Sequence, residues 1–399
     1  MMNLWTLAQT DTFFLPPQAS NLSHDVDWAW NVVLGVTGFF FVLVVVVMLL
    51  FVLKYRRRTP NDATPEITHN TPLEIIWTVV PVVILICFFF IGFKGYLNYD
   101  TPPTNAVVVD VTGQKWRFSF QYPNGGTSDI LYVQKDVPVV LNLHSTDVLH
   151  ALYIPAFRTQ RNLIPFRTTN IWFIPEELSP KDGFPLFCTQ YCGQDHSRMH
   201  SVVRVLDKKD YADAMAQVAN PFKEKDGNTG KSRWIPYVEL GHKLYEQKGC
   251  ISCHTIDGTK GTGPTWKDLW KTDVQFAAPP GTAPLKASDS DANWEAYITE
   301  SVLHPSAKIV QGFSDQMPSF ESQFSPTAPK DEELRAIITY IKSIGNTHYT
   351  PPIPADSELY DADKHPDHHP EFTPEHVKAI EAAGGAAGNA ASAPTTQNQ

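Results

Sequence analysis

The stretch CTQYCGQDHSRMH, Cys188–His200, sets two cysteines, a histidine and a methionine at four-residue intervals or close to them, with a second histidine after the methionine. Three chemistries compete for it. A disulfide between Cys188 and Cys192 leaves His196 and Met199 without a purpose. Zinc closes a tetrahedron with two cysteines and two histidines and has no use for a thioether. Soft sulfur ligands together with imidazole favour copper, and two thiolates carry enough lone pairs to bridge a pair of metal ions. Each ion then needs one histidine and one weak ligand. The missing histidine should come from another strand end. His150 in STDVLHALYIP follows a strand and a polar turn, whereas His144 sits inside the strand and reads as a packing or surface residue. His200 reads as the start of a strand and not as a ligand.

Cys250-Ile-Ser-Cys253-His254 is the C-x-x-C-H pattern, in which two thiols add to haem vinyl groups and the histidine ligates iron. In a cytosolic protein the same pattern can mean zinc or redox chemistry. Here it follows an amphipathic helix beginning at Gly241, on what the membrane segments below make the exported side. A second axial ligand is then needed. Met317 is the sole methionine of that region, and its rival is His304, at a helix end before Pro305.

Asn31–Leu53 carries no charge and as a helix spans about 34 Å; Ile75–Phe93 spans about 28 Å. Together they predict a transmembrane hairpin over 31–95. The cluster Lys54, Tyr55, Arg56, Arg57, Arg58 between them predicts a cytoplasmic loop, which puts both termini outside. Residues 1–30 lack the layout of a signal peptide and read as an exported segment, with Trp28 and Trp30 suited to an interfacial belt.

Beyond the hairpin the pattern changes twice. AVVVDVTGQKWRFSFQYP alternates, with Trp116, Phe118, Phe120 and Tyr122 on one face and Arg117, Ser119 and Gln121 on the other, as a half-buried strand does. Further short runs at Val139–Leu143, Thr168–Phe173 and Val202–Leu206 predict an all-β sandwich or barrel over 96–210. Residues 208–232 read as a helix plus linker, with the linker between domains set at 211–233, and 234–346 reads as a small all-helical domain. The stretch 347–399, with His365, His368, His369 and His376, reads as a disordered, solvated tail. That end also holds most of the formal charge of −10, so the body is nearly balanced. No basic stripe interleaved with aromatics points to nucleic acid.

His150, Cys188, Cys192, His196 and Met199 closely resemble the ligands of the dinuclear CuA centre in subunit II of haem-copper oxidases, and the region from Gly241 with GTGPT at 261–265 and MPSF at 317–320 resembles a class I cytochrome c. The resemblance implies a membrane α-hairpin, an all-β cupredoxin-like CuA domain and an all-α cytochrome c domain. It implies that Cys188 and Cys192 bridge both coppers, that Met199 and the Gln190 backbone carbonyl are the weak ligands, and that Pro264 accepts a hydrogen bond from His254. HNTPLEIIWTVVP at 69–81 is similar to the start of the family's second membrane helix, with Glu74 at the mouth of a proton channel. GQKWRFSFQY is similar to its aromatic stretch, with Trp116 as the surface residue through which electrons arrive.

The function so implied is electron transfer in a cytochrome c oxidase. Electrons pass from one covalently bound haem c to CuA and on to haem in a separate subunit I, where oxygen becomes water. Subunit I, other oxidase subunits and an upstream donor, either a quinol:cytochrome c reductase-type complex or a small cytochrome, are the expected partners. The expected location is a bacterial inner membrane, with both soluble domains on the outer, periplasmic side. The rival readings are a CuA-containing nitric oxide reductase and a membrane-tethered copper and haem carrier without a catalytic partner. Departures from the family concentrate at Gln190, where glutamate usually helps to bind magnesium, and at Gln160, Asn162 and Phe166, where lysine, aspartate and glycine are common.

Overall fold

The computed structural model describes residues 15–59, 69–225, 232–321, 324 and 330–345. The expected tail and its histidines lie outside these residues, as does most of the basic loop beyond Thr59. Two long helices come first, α1 (Asn21–Lys54) and α2 (Thr71–Asp100), both apolar and long enough to cross a membrane. Their apolar runs are the expected ones, but the helices extend further at the ends that meet the β domain. Capping explains the early start of α1. Ser20 is its N-cap in a reciprocal capping box with Ser23. The same turn is stitched to the β domain, since Asn21 N–H donates to Ile174 O at 3.1 Å and Ala19 N–H to Ala156 O at 3.0 Å. One turn later Asp27 takes a two-pronged ion pair from Arg158, with Nε and Nη2 each at 2.9 Å. Both side chains are almost fully buried. At the top of α2, Arg161 pairs with Asp100 at 2.9 Å and Tyr99 O–H donates to Gln160 O at 2.7 Å.

The β domain consists of β1 (Val107–Gln114), β2 (Arg117–Gln121), β3 (Thr127–Ser128), β4 (Leu131–Gln134), β5 (Val139–Ser145), β6 (His150–Ile154), β7 (Thr159–Leu163), β8 (Thr169–Phe173), β9 (Phe184–Cys188) and β10 (His200–Leu206). They form two five-stranded sheets, in the orders β3-β2-β1-β5-β8 and β4-β10-β9-β6-β7. The core lies between them, with Phe118, Phe120, Leu141, Leu143, Phe157 and Phe173 at no more than 1 % exposure. The run read as one strand is a hairpin. Gln114 pairs with Arg117 across a tight turn at Lys115 and Trp116, so alternation continues on both sides of a break that it does not reveal.

The stretch between the β domain and the helical domain opens on a helix, as expected, and continues as a short strand pair. Residues Lys208–Ala219 form α3, capped by Asp207 and packed against β4 and β10. Lys223–Lys225 and Ser232–Trp234 then pair as a short hairpin, β11 and β12. Phe222 and Trp234 enter the core of the helical domain. That domain is built on α4 (Tyr237–Gln247), α5 (Asp291–Leu303) and α6 (Lys330–Ser343). Gly241 sets how closely α4 crosses α6, because a Cβ added there would fall 2.2 Å from the Ala336 carbonyl oxygen.

Candidate functional site

Ladder geometry brings the first group of side chains together. His150 opens β6, Cys188 closes β9, and Leu152 pairs with Cys188 across these two neighbouring strands. The β9–β10 connection then folds back over them, carrying Gln190, Cys192, His196 and Met199. Cys188 Sγ lies 3.9 Å from Cys192 Sγ, which is nearly twice a disulfide bond length, and both thiols are free. Cys192 Sγ is 3.4 Å from His196 Nδ1 and 3.7 Å from Met199 Sδ, and Cys188 Sγ is 3.3 Å from the Gln190 carbonyl oxygen. Ligand atoms of His150, Cys188 and Cys192 all lie within 4.8 Å of one another. All six residues singled out from the sequence therefore meet in one place. His144 stays apart, its ring 2.9 Å from Thr112 Oγ1, and His200 opens β10 on the surface.

The electrostatics suit a soft metal. His150 is fully buried, and its Nδ1 has no hydrogen-bond partner while Nε2 is held 2.8 Å from Asp147 Oδ1. A carboxylate accepts that bond, so Nε2 carries the proton and Nδ1 presents a lone pair. Asp147 is itself fixed by the Lys115 and Val148 amides, at 2.8 and 2.6 Å. Burial pushes both thiols up. For Cys188, the adjoining His150 ring and its backbone contacts outweigh burial and bring it down to about 6; for Cys192, burial and the neighbouring Cys188 charge act together to raise it. One thiolate thus stands ready, and a bound cation would release the second proton. A buried lone pair within reach of two sulfurs, one of them beside a thioether, fits copper better than zinc.

The second group lies in the helical domain. Cys250, Cys253, His254 and Met317 line one cavity with Trp266, Phe320 and Phe324, which continues into a space of about 130 Å³. His254 Nδ1 donates to the Pro264 carbonyl at 2.7 Å, so Nε2 is free to ligate, and burial lowers the histidine's pKa and keeps it neutral. Burial also pushes both Cys250 and Cys253 up to about 11. Met317 faces this cavity, whereas His304 is the exposed C-cap of α5 and does not line it. The fit for a haem bearing one histidine and one methionine ligand is good.

The two groups approach each other. Asp195, which precedes His196, accepts from Thr262 Oγ1 at 3.3 Å, two residues before Pro264. Gln114 Nε2 donates to Ser319 O at 3.0 Å, two residues after Met317. Cys253 packs against the core of the β domain. Trp116 is not a surface residue, being 5 % exposed in the wall of a cleft shared with Gly249, Ile251 and Ser252 of the helical domain. The fused helical domain accounts for the burial, because its residues form the other wall of that cleft. Glu74 lies far from this region in the first turn of α2, its carboxylate accepting from Asn70 N–H at 3.1 Å. Asp147 and Arg117 were missed. A turn aspartate and an arginine on the outward face of a strand carry no spacing signal of their own.

Of the departures from the family, Gln160 lies beside the Gln190 region. Gln160 Nε2 donates to Thr189 Oγ1 at 3.1 Å, and Phe166 stands fully exposed with φ +61°.

Three family models match the chain: cytochrome c oxidase subunit II, transmembrane domain, at residues 8–94; cytochrome c oxidase subunit II, periplasmic domain, at 126–206; and cytochrome c at 238–345. Cytochrome c oxidase subunit 2 of Alkalihalophilus pseudofirmus is 26% identical over 326 residues, covering 79% of this chain and 86% of that one. Cytochrome c oxidase subunit 2 of Synechocystis is 27% identical, with 51% and 75% covered. The crystal structure of the periplasmic domain of subunit II of cytochrome oxidase from Bradyrhizobium japonicum is 23% identical, covers 31% of this chain and 99% of that chain, and has a TM-score of 0.29. With the oxidase models over its membrane hairpin and β domain and the cytochrome c model over its helical domain, the chain belongs to the family of cytochrome c oxidase subunit II, here continued by a fused cytochrome c domain.

Proposed function

We propose that the chain is an electron conduit, taking electrons into its cytochrome c domain and passing them through its copper domain to haem in a separate subunit I, where oxygen is reduced to water. The observation that carries this reading is the meeting of two sulfur and imidazole groups across one interface, with Asp195 and Thr262 joining the loops that hold His196 and Pro264. When bound, a dinuclear copper and a covalent haem c supply reversible one-electron storage. The protein supplies the rest. Cys188, Cys192, His150, His196, Met199 and the Gln190 carbonyl would hold the copper. Asp147 orients the His150 ring. Cys250 and Cys253 would anchor the haem, and His254 and Met317 would supply nitrogen and sulfur to its iron. Trp116, buried between the two domains, is assigned to the path between them, not to the reception of an external donor. Glu74 is assigned to the mouth of a proton channel.

The chain would then sit in a bacterial inner membrane, with both soluble domains on the periplasmic side, bound to subunit I and other oxidase subunits. Its donor would be a reductase complex or a small cytochrome. Uncharged Gln190 and Gln160 beside one another favour a second reading, a nitric oxide reductase that uses CuA. Purification in mild detergent tests both. One covalent haem, two coppers and a co-purifying polytopic haem subunit are expected, with consumption of oxygen in preference to nitric oxide. A chain that purifies alone, or that holds zinc at Cys188, overturns the proposal.

A further inference from the structure

We propose that Arg117, a residue of the copper domain, belongs to the haem site of the cytochrome c domain, where its fixed positive charge raises the haem potential. The inference rests on the reading of Cys250, Cys253, His254 and Met317 as the residues that hold haem.

Alternation in β2 puts Arg117 on the face opposite Phe118 and Phe120, where solvent would be expected. Instead it is 8 % exposed. It lines the cavity bounded by Cys250, Cys253, His254 and Met317, together with Lys115 from the same turn. Its guanidinium carbon lies 5.2 Å from the centre of the Phe320 ring. Its Nη2 donates to Gln114 Oε1 at 3.2 Å, and Gln114 in turn donates to Ser319 O. The cytochrome side makes room for it. Gly249, at φ +75°, directly precedes Cys250, and a Cβ there would fall 2.7 Å from Arg117 Cδ.

No carboxylate closes an ion pair with Arg117 among the described residues, and its buried Nε has no hydrogen-bond partner. Burial pulls its pKa down to about 10, against the opposing influence of Cys250 and Asp129, so the group is charged at neutral pH. A buried cation without a counter-ion is costly to hold. Beside a redox group that cost has a use, since an arriving electron is attracted and the reduced form is favoured. Arginine suits the position because its flat, weakly hydrated fork can lie over a phenyl ring. The haem potential would then depend on the two domains being docked.

The test uses the complete oxidase complex with the native chain, Arg117→Gln and Arg117→Lys. Covalent haem and copper are counted first, and the haem is then titrated optically against potential at low and high salt. Arg117→Gln should shift the ratio of reduced to oxidised haem about tenfold toward oxidised at a fixed potential, or about 59 mV for one electron. The shift should persist in high salt, because a buried charge is little screened. Arg117→Lys should keep most of the native potential. Should the glutamine variant lose haem or copper, Arg117→Met, which retains bulk against Phe320, takes its place with the same expectation. A native potential in the neutral variant, or an equal fall in the lysine variant, overturns the proposal. Absence of covalent haem from the native chain would instead sink the reading beneath it.

Discussion

The copper group and the haem cavity are put together by opposite routes. Every candidate copper ligand comes from the β domain, one from the end of β9, four from the single connection after it and one from the adjoining start of β6. The haem cavity draws the four residues that would hold the haem from the helical domain but takes Lys115 and Arg117 from the β domain. A centre held by one sheet can form whenever that sheet folds. A centre completed across an interface is finished only when the domains meet.

The largest effect that would break this contrast is the removal of a bridging sulfur. Cys192→Ser should take copper from two per chain to nearly none while one covalent haem per chain remains, as metal analysis against haem absorbance would record. If haem is lost too, the two centres are not independently assembled. Next in size is the joint between membrane and β domain. Asp27→Ala strands the buried Arg158 charge and should destabilise the domain by about 3–5 kcal/mol, readable as a lowered unfolding temperature in detergent.

Met317→Leu should leave haem covalently attached and lower its potential on the order of 0.1 V, because a thioether ligand raises it. An unchanged potential would move the ligand role to His304. Asp147→Asn is the mildest of the four. Replacing the carboxylate that fixes the His150 tautomer should weaken copper binding about 10- to 100-fold, measured by competition with a chelator, with two coppers still bound at saturation.

What could be read from the sequence was local. The spacing from Cys188 to Met199 and the C-x-x-C-H run each pack several ligands into one short loop, so chemistry shows through composition. The membrane helices announce themselves by uninterrupted apolarity, although the capped, polar start of α1 at Ser20 does not. Long-range consequences stayed hidden. Asp27 and Arg158 are 131 positions apart and nothing in either neighbourhood advertises the pair. The turn at Lys115 and Trp116 has no glycine or Asn-Gly signal, and period-two alternation carries on through it. Arg117 is buried only because a second domain covers an otherwise outward face, and Trp116 loses its expected exposure for the same reason. Domain architecture was legible; the docking of one domain on the other was not.

The contact between Asp195 and Thr262 has a consequence for the time course of the proposed electron passage. Tunnelling rates fall steeply with distance, so a carrier swinging on a tether would give a spread of rates, one for each separation it visits. Here the loop behind His196 and the loop behind Pro264 touch directly, while Gln114 and Ser319 pin a second point. Two such fixings leave the gap one width in every molecule, and passage across it would follow a single exponential.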